Sequence, residues 1–290
     1  MQKVLVAEIG NDTIVVKAFA NLDTENPLLL GQGISLTTEY DGDYRTGLQF
    51  AVTDLEKDIG PVGCLGDIPF YAVSSVPTIH TMKANGPIVL TGGILPATEA
   101  IMKAAKLIYE EVGEVLVLDV GAIATNLYLL TSGLGPQRRV EEDLGVLIDP
   151  LPLVKLIGEN RIVEHHGEEW EKLISSRPET PEQIVFSSEI TAAAITIALK
   201  RHCGVWGNCE ERDLSNVRWI VGTGVALTQL PNGLEILRES IMGRAGTLFA
   251  EEKNAILLDK DSIMSSLGIL TATYRKAAWQ LMRESFGVEN

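Results

Sequence analysis

Cysteine, aromatic side chains and positive charge are all scarce in this sequence, and each shortage removes a class of protein. Cys64, Cys203 and Cys209 are the three cysteines; the number is odd and no CxxC pair occurs. Neither a disulfide framework nor a paired zinc-ligand motif is indicated. Free thiols fit a reducing compartment, so a cytoplasmic location is expected. His202 and the adjacent His165 and His166 add no metal-ligand spacing, and the expected reading is free or buried thiols with a surface histidine pair. Lys and Arg number 24 against 39 Asp and Glu, a formal charge of −15. Such a surface repels a phosphate backbone and an anionic bilayer, and no basic run interrupts it. Neither nucleic acid nor membrane is expected as a partner. The longest stretch without charge, 120–137, contains Gly121, Asn126, Thr131, Ser132, Gly133, Gly135 and Pro136, a composition unlike a membrane helix. No secretory leader pattern opens the sequence, and no low-complexity segment or Pro-rich linker divides it.

What is present is apolar residue in quantity: 46% of 290 residues, enough to fill the cores of two domains. Residues 115–130 read VLVLDVGAIATNLYLL, a strand that runs apolar into Asp119 and then into Gly121. The N-terminus repeats the phrase as VLVAEIGNDTIVVKAF, with Glu8 and Gly10. Each reads as a β-hairpin, and at Gly10 the turn is expected to use the positive φ open to glycine. A third strand is expected over 28–36. Apolar spacing predicts helices over 47–60, 96–113, 181–203 and 233–241, with a last helix over 271–286. Further strands are expected over 87–93, over VRWIV before Gly222-Thr223-Gly224, and over 255–261. The segment 138–146 reads as a loop or short strand, and polar 158–181 as surface. Alternating strands and helices with two like hairpins give a mixed α/β chain of two similar subdomains.

A carboxylate inside an apolar strand is costly unless something positive or hydrogen-bonding meets it. Glu8 and Asp119, facing one another across a cleft, suit a magnesium ion, and the glycine turns suit phosphate. Gly222, Thr223 and Gly224 let a nucleoside approach the backbone closely; alone the signal is weak, and after two acid hairpins it gains weight. Other features have plainer readings beside sharper ones. Gly92 and Gly93 are either a phosphate-touching helix start or a chain reversal. Ser74, Ser75 and His80 lack the elbow pattern and acid partner of an esterase.

In the order acid hairpin, acid hairpin, Gly-Thr-Gly, the sequence resembles the phosphate-1, phosphate-2 and adenosine elements of the actin, sugar kinase and Hsp70 ATPase superfamily. The closer resemblance is to MutL-type accessory or reactivating proteins of adenosylcobalamin-dependent glutamate mutase and related aminomutases. It is carried by EIGNDTIVVKAF (8–19), LGQGISLTTEYDGDYRTGLQFAVTDL (30–55), VLVLDVGAIATNLYLL (115–130), RRVEEDLGV (138–146), ITIALKRHCG (195–204), VGTGVALTQLPNGLEIL (221–237) and AILLDKDSIMSSLGIL (255–270). The long form of that family has extra sequence between its first strands and the second acid hairpin, and this chain is shorter there.

The resemblance implies two actin-like (RNase H-like) subdomains with mixed sheets around a nucleotide cleft. Subdomain I would cover 1–114, subdomain II 115–265, and a C-terminal helix in 266–290 would return to subdomain I. It implies ATP or ADP with magnesium held by Glu8 and Asp119, which would also be the catalytic acids. Gly10, Asn11, Asp12 and Thr13, with Gly121, Thr125 and Asn126, would wrap phosphates, and Gly222, Thr223 and Gly224 would line the adenosine. Partners would be subunits of an adenosylcobalamin-dependent mutase or aminomutase, in a homo- or hetero-oligomer, and closure on ATP would drive release of damaged cofactor. Through the same resemblance Glu141, Glu142 and Asp143 lie near the second phosphate loop; otherwise they form a solvated acidic turn.

The sequence departs from the superfamily at chosen points. Glu8 replaces the usual aspartate, and Asn11 and Asp12 stand where small hydroxyl residues are usual. Ala122 adds a Cβ where backbone approach was free, Ala124 removes a hydroxyl, and Asn126 removes a charge. Hydrolysis depends on charge and water placed at the transition state, so it is more fragile than binding. Weak magnesium-dependent ATPase activity is one expectation, and a non-hydrolysing scaffold on the same fold is the alternative. A small-molecule kinase would need an additional aspartate base, and none is evident.

Overall fold

The computed structural model describes residues 2–37, 44–76, 90, 92–175, 177–202, 214, 216–245 and 254–288. The chain divides into two compact units: residues 1–107 with 263–284 and 288–290, and residues 108–262 with 285–287.

The first unit opens with the hairpin β1 (Lys3–Ile9) and β2 (Thr13–Ala20), followed by β3 (Leu28–Leu36). Helix α1 (Arg45–Ile59) crosses to β4 (Phe70–Ser74), and β5 (Ile94–Pro96) leads into α2 (Ala97–Val112). The sheet order is β3-β2-β1-β4-β5, antiparallel on one side of β1 and parallel on the other. Strand β1 is central and buried on both faces, which is why it reads as an almost unbroken apolar run. One face carries Leu5, Ala7, Ile9, Ile14, Val16 and Ala18, and α1 covers it with Leu48, Ala51, Val52 and Leu55.

The second unit repeats this plan. Strands β6 (Val115–Val120), β7 (Thr125–Thr131) and β8 (Leu134–Glu141) form an antiparallel meander. Helices α3 (Leu151–Ile157), α4 (Glu159–His166) and α5 (Pro181–His202) precede β9 (Trp219–Thr223). A short turn of helix, α6 (Val225–Thr228), and α7 (Gly233–Ala245) lead to β10 (Ala255–Leu258). The order is β10-β9-β6-β7-β8, so β6 holds the place of β1 and the two sheets share one topology. Duplicated phrases in the sequence therefore correspond to duplicated architecture. Helix α5 is long and apolar enough to span a membrane. Its Phe186, Ile190, Ala194, Ile195 and Ala198 instead pack with Leu116, Leu118, Leu127 and Leu129 of the sheet, which accounts for its composition.

The chain ends with α8 (Met264–Leu270) and α9 (Arg275–Phe286), where one helix over 271–286 is expected from spacing. Met264, Leu267 and Leu270 make α8 a buried, separate helix. A Cβ on Gly268 would lie 1.9 Å from the Ala100 carbonyl oxygen, so α8 meets the backbone of α2 directly. Gly268→Ala is expected to destabilise the protein by about 1–3 kcal/mol through forced separation of the two helices, read as a lowered urea midpoint.

Several other expectations change. Residues 138–146 divide between strand and turn: β8 runs through Glu141 as an edge strand, and 142–146 form the turn after it. Polar 158–181 contains α4 and a short 3-10 turn, Trp170–Leu173, with Trp170 buried. Of the strand expected over 87–93, residues 87–89 and 91 lie outside the described residues; β5 begins at Ile94. Gly92 and Gly93 run beside β4, where Gly92 N donates to the Phe70 carbonyl and Gly93 accepts from Ala72 N. A Cβ on Gly92 would strike the Tyr71 ring, so a packing role explains that glycine.

Candidate functional site

Both acids sit at the C-terminal end of the first strand of a hairpin, and the two turns are built alike. Gly10 N donates to the Thr13 carbonyl at 2.9 Å, and Gly121 N donates to the Ala124 carbonyl at 3.0 Å. Glu8 pairs in register with Val15, and Asp119 with Asn126, so each acid faces the residue seven places later. Gly10 does not use a positive φ; its value is space, since a Cβ there would lie 3.0 Å from the Thr13 oxygen.

In the first unit the carboxylate of Glu8 is fully engaged. Oε2 lies 2.9 Å from Nζ of Lys17, whose side chain is 1% exposed against 21% for Glu8. Oε1 accepts hydrogen bonds from the hydroxyls of Ser265 and Ser266 on α8. Lys17 stands two residues beyond the register partner of Glu8, a diagonal neighbour on the same sheet face. Burial pulls the Glu8 pKa up, but the Lys17 charge and the serine hydrogen bonds outweigh it and hold the group below its usual range. Asn11 and Asp12 are exposed at the tip, and Thr13 is half-buried. Thr37 braces the turn, donating from Oγ1 to the Gly10 carbonyl at 2.9 Å and from N to the Asp12 carbonyl at 2.8 Å.

In the second unit Asp119 and the Gly-Thr-Gly turn come together. Strand β9 runs parallel to β6 and places Thr223 opposite Asp119. Gly224 follows at φ +92°, and a Cβ there would lie 2.5 Å from the Val120 carbonyl oxygen and 2.6 Å from Asp119 Oδ1. Oδ2 of Asp119 accepts from the Asn126 amide at 3.1 Å, and Asn126 Oδ1 accepts from Arg138 at 3.0 Å. The amide that removes a charge at position 126 thus links the acid to a cation on β8. Arg138 also lies 6.0 Å from the ring centroid of Tyr128. Burial, with Asp119 nearby, pushes the Tyr128 phenol well above its usual pKa.

Thr125 is buried and donates to the Leu144 carbonyl at 2.8 Å, so its hydroxyl ties the turn to the following segment. Thr223 is also buried and donates to Asp259 Oδ2 at 3.0 Å, while Ser285 donates to Asp259 Oδ1 at 2.8 Å. Asp259 is a third acid just past the end of an apolar strand, in AILLD. That pattern, already used for Glu8 and Asp119, was the signal that could have found it. Nothing local in the sequence marks Lys17, Ser265, Ser266 or Arg138 as partners.

Two of the three acids in the turn of 141–143 are paired within the second unit. Arg201, from α5, donates to Glu141 at 2.7 Å and to both oxygens of Asp143 at 2.7 and 2.8 Å, and Arg139 pairs with Glu141. The Arg201 hydrogen bonds hold the Asp143 carboxyl below its usual range. Only Glu142 of the three is exposed. Ser74 exchanges hydrogen bonds with the backbone of Val76, both at 3.0 Å. His80, Cys203 and Cys209 lie outside the described residues, and Cys64 is exposed. His165 and His166 are no simple surface pair, because both converge on Glu189 of α5.

A family model described as MutL protein matches residues 78–286. Protein MutL of Clostridium tetanomorphum is 25% identical over 242 residues, covering 69% of this chain and 52% of that protein. The chain therefore spans about half the length of the curated relative it matches. Among solved structures, component A of the (R)-2-hydroxyglutaryl-CoA dehydratase of Acidaminococcus fermentans is similar with a TM-score of 0.54 at 12% identity, over 96% of this chain and 100% of that one. The activator of the 2-hydroxyisocaproyl-CoA dehydratase from Clostridium difficile, with bound ADPNP, also gives 0.54 at 12% identity, over 100% and 99%. At that identity the likeness is one of fold: a mixed α/β chain of the actin-like ATPase class.

Proposed function

Since the chain belongs to the MutL protein family, we propose that it is a nucleotide-binding accessory protein of an adenosylcobalamin-dependent mutase or aminomutase. Its work would be that of an ATP-dependent reactivating factor, in the cytoplasm, on the mutase subunits. The mutase half rests on the family resemblance. The nucleotide half rests on one observation: the Asp119 turn, against which Gly224 packs so closely that a Cβ has no room. An actin-like activator holding ADPNP supports it.

The residues differ in how well they fit the bound group. Asp119 is a half-buried carboxylate at a strand end, oriented by Asn126, and suits magnesium. Glu8 suits it less, because Lys17 already balances its charge and both oxygens accept hydrogen bonds. We therefore assign the magnesium-facing role to Asp119 and read Glu8 as an internal counter-ion. Magnesium, when bound, would neutralise phosphate charge. Gly10, Asn11, Asp12 and Thr13 stay candidates for phosphate through their exposed or half-buried turn, and Gly222 to Gly224 for the adenosine.

Binding without turnover is the second reading, favoured by Ala122 and Ala124 and by the Asn126 amide on Asp119 Oδ2. Isothermal titration with Mg-ADP is expected to show saturable binding that Asp119→Ala weakens by about tenfold or more. No heat at millimolar nucleotide sinks the nucleotide reading. Phosphate release from Mg-ATP, measured alongside, separates a reactivating ATPase from a non-hydrolysing scaffold.

A further inference from the structure

His165 and His166 end helix α4, and neither hairpin uses them. Three side chains meet there. His165 Nδ1 lies 3.3 Å from Glu189 Oε2, and His166 Nε2 lies 3.0 Å from the same oxygen. All three atoms fall within 4.8 Å of one another. The other carboxylate oxygen, Oε1, is 3.1 Å from the Arg161 guanidinium. The His166 side chain is 6% exposed, Glu189 19% and His165 49%, so the cluster is embedded on one side and open on the other.

We propose that His165 Nδ1, His166 Nε2 and Glu189 Oε2 are a three-ligand site for a borderline divalent ion of the zinc class, with a fourth position open to solvent. A tetrahedral ion about 2.0–2.1 Å from nitrogen and oxygen donors sets those donors about 3.3 Å apart. The two separations onto Glu189 are already of that size, and one donor atom from each residue lies within 4.8 Å of the others, so an ion enters by displacing ring protons and drawing the side chains together. Two imidazoles and one carboxylate favour zinc, cobalt, nickel or copper over magnesium and calcium, which take oxygen donors.

The surroundings also orient the donors. The His166 ring stands edge-on to Phe186 with centroids 5.2 Å apart, and Phe186 stacks on Trp170 at 5.8 Å, which fixes the imidazole from behind. Arg161 meets Oε1 as an ion pair without hydrogen-bond geometry, which leaves Oε2 to both rings. A clasp made only to hold α4 on α5 would be satisfied by Arg161 and one histidine. Two ring nitrogens drawn to a single oxygen is the arrangement a metal turns into coordination. The site joins two helices of the second unit and does not depend on nucleotide binding.

The test uses the full chain without nucleotide, titrated with Co2+ and then with Zn2+. One cobalt per chain is expected, with visible d–d absorption of a four- or five-coordinate ion, displaced by zinc. His165→Ala and Glu189→Gln are each expected to weaken uptake by about tenfold or more, while circular dichroism reports an intact fold. His165 is half exposed, so its removal leaves packing largely alone; buried His166 is not the residue to probe. The proposal falls if uptake is not saturable, if both variants bind as the parent does, or if the cobalt spectrum shows thiolate charge transfer and so a cysteine site.

Discussion

Lys17→Met is expected to cost about 3–5 kcal/mol of folding stability, because it removes one half of a buried ion pair and leaves the other. Lys17 is 1% exposed, and its partner Glu8 cannot turn to water while Ser265 and Ser266 hold Oε1. The pH dependence gives the effect a signature. In the parent protein the Glu8 pKa is lowered in the folded state. Its contribution is thus present above the unfolded value, about 4.3 for glutamate, and is lost as pH falls through the folded value. Without Lys17 the main lowering cause is gone while burial remains, so the folded pKa rises from its lowered position. The variant should then be least impaired in acid, with a penalty relative to the parent that grows as pH rises and Glu8 ionises. Urea unfolding at pH 4 and at pH 7 checks this: a penalty equal at both would show that packing, not charge, is what was lost. Lys17→Met with Glu8→Gln is expected to recover part of the loss, since a neutral pair no longer strands a charge.

Gly224→Ala is expected to reduce Mg-ADP affinity by about ten- to a hundredfold, the equivalent of about 1–3 kcal/mol of local strain. The new Cβ would meet the Val120 carbonyl oxygen at 2.5 Å and Asp119 Oδ1 at 2.6 Å, at a φ of +92° that side chains rarely adopt. Either the turn opens or Asp119 moves, and both spoil the proposed magnesium and phosphate contacts. Gly222→Ala, in the same turn, is the graded comparison. Its Cβ would first meet Leu237 Cδ2 at 2.7 Å, the tip of a flexible side chain, so a milder effect is expected. A titration in which Gly224→Ala binds Mg-ADP as the parent does would detach the nucleotide site from Gly224.

The hairpins were legible in the sequence because a strand ending in an acid and a glycine leaves a local mark. Strand β3 and helices α1, α2 and α5 were legible through period and punctuation, to within a few residues. Strand β4 left little mark: FYAVS is short and sits between irregular segments. Strand β8 was only half legible, with loop and short strand both open, because Arg138, Arg139 and Glu141 give an edge strand the composition of a surface turn. Within the candidate site, Glu8 and Asp119 stood out by being charged in apolar runs. What neutralises them did not, because Ser265 and Ser266 are more than 250 residues from Glu8, and Arg138 is linked to Asp119 through Asn126. Sequence could show that each acid needed a partner. Only the fold shows that one received a lysine and the other an amide backed by an arginine, which is why the two hairpins, alike in turn, differ in chemistry.

The hydroxyl partners of Glu8 also set an order of assembly. Strands β1 and β2 are translated well before Ser265, Ser266 and the helix that rests on Ala100, because the two serines follow Glu8 by more than 250 residues. The second unit is nearly contiguous, its residues running from 108 to 262. Contacts at short sequence separation close sooner than those that span the chain. Of the two units, the one begun earlier is therefore closed later, with the Glu8–Lys17 pair waiting for its remaining donors until α8 has left the exit tunnel.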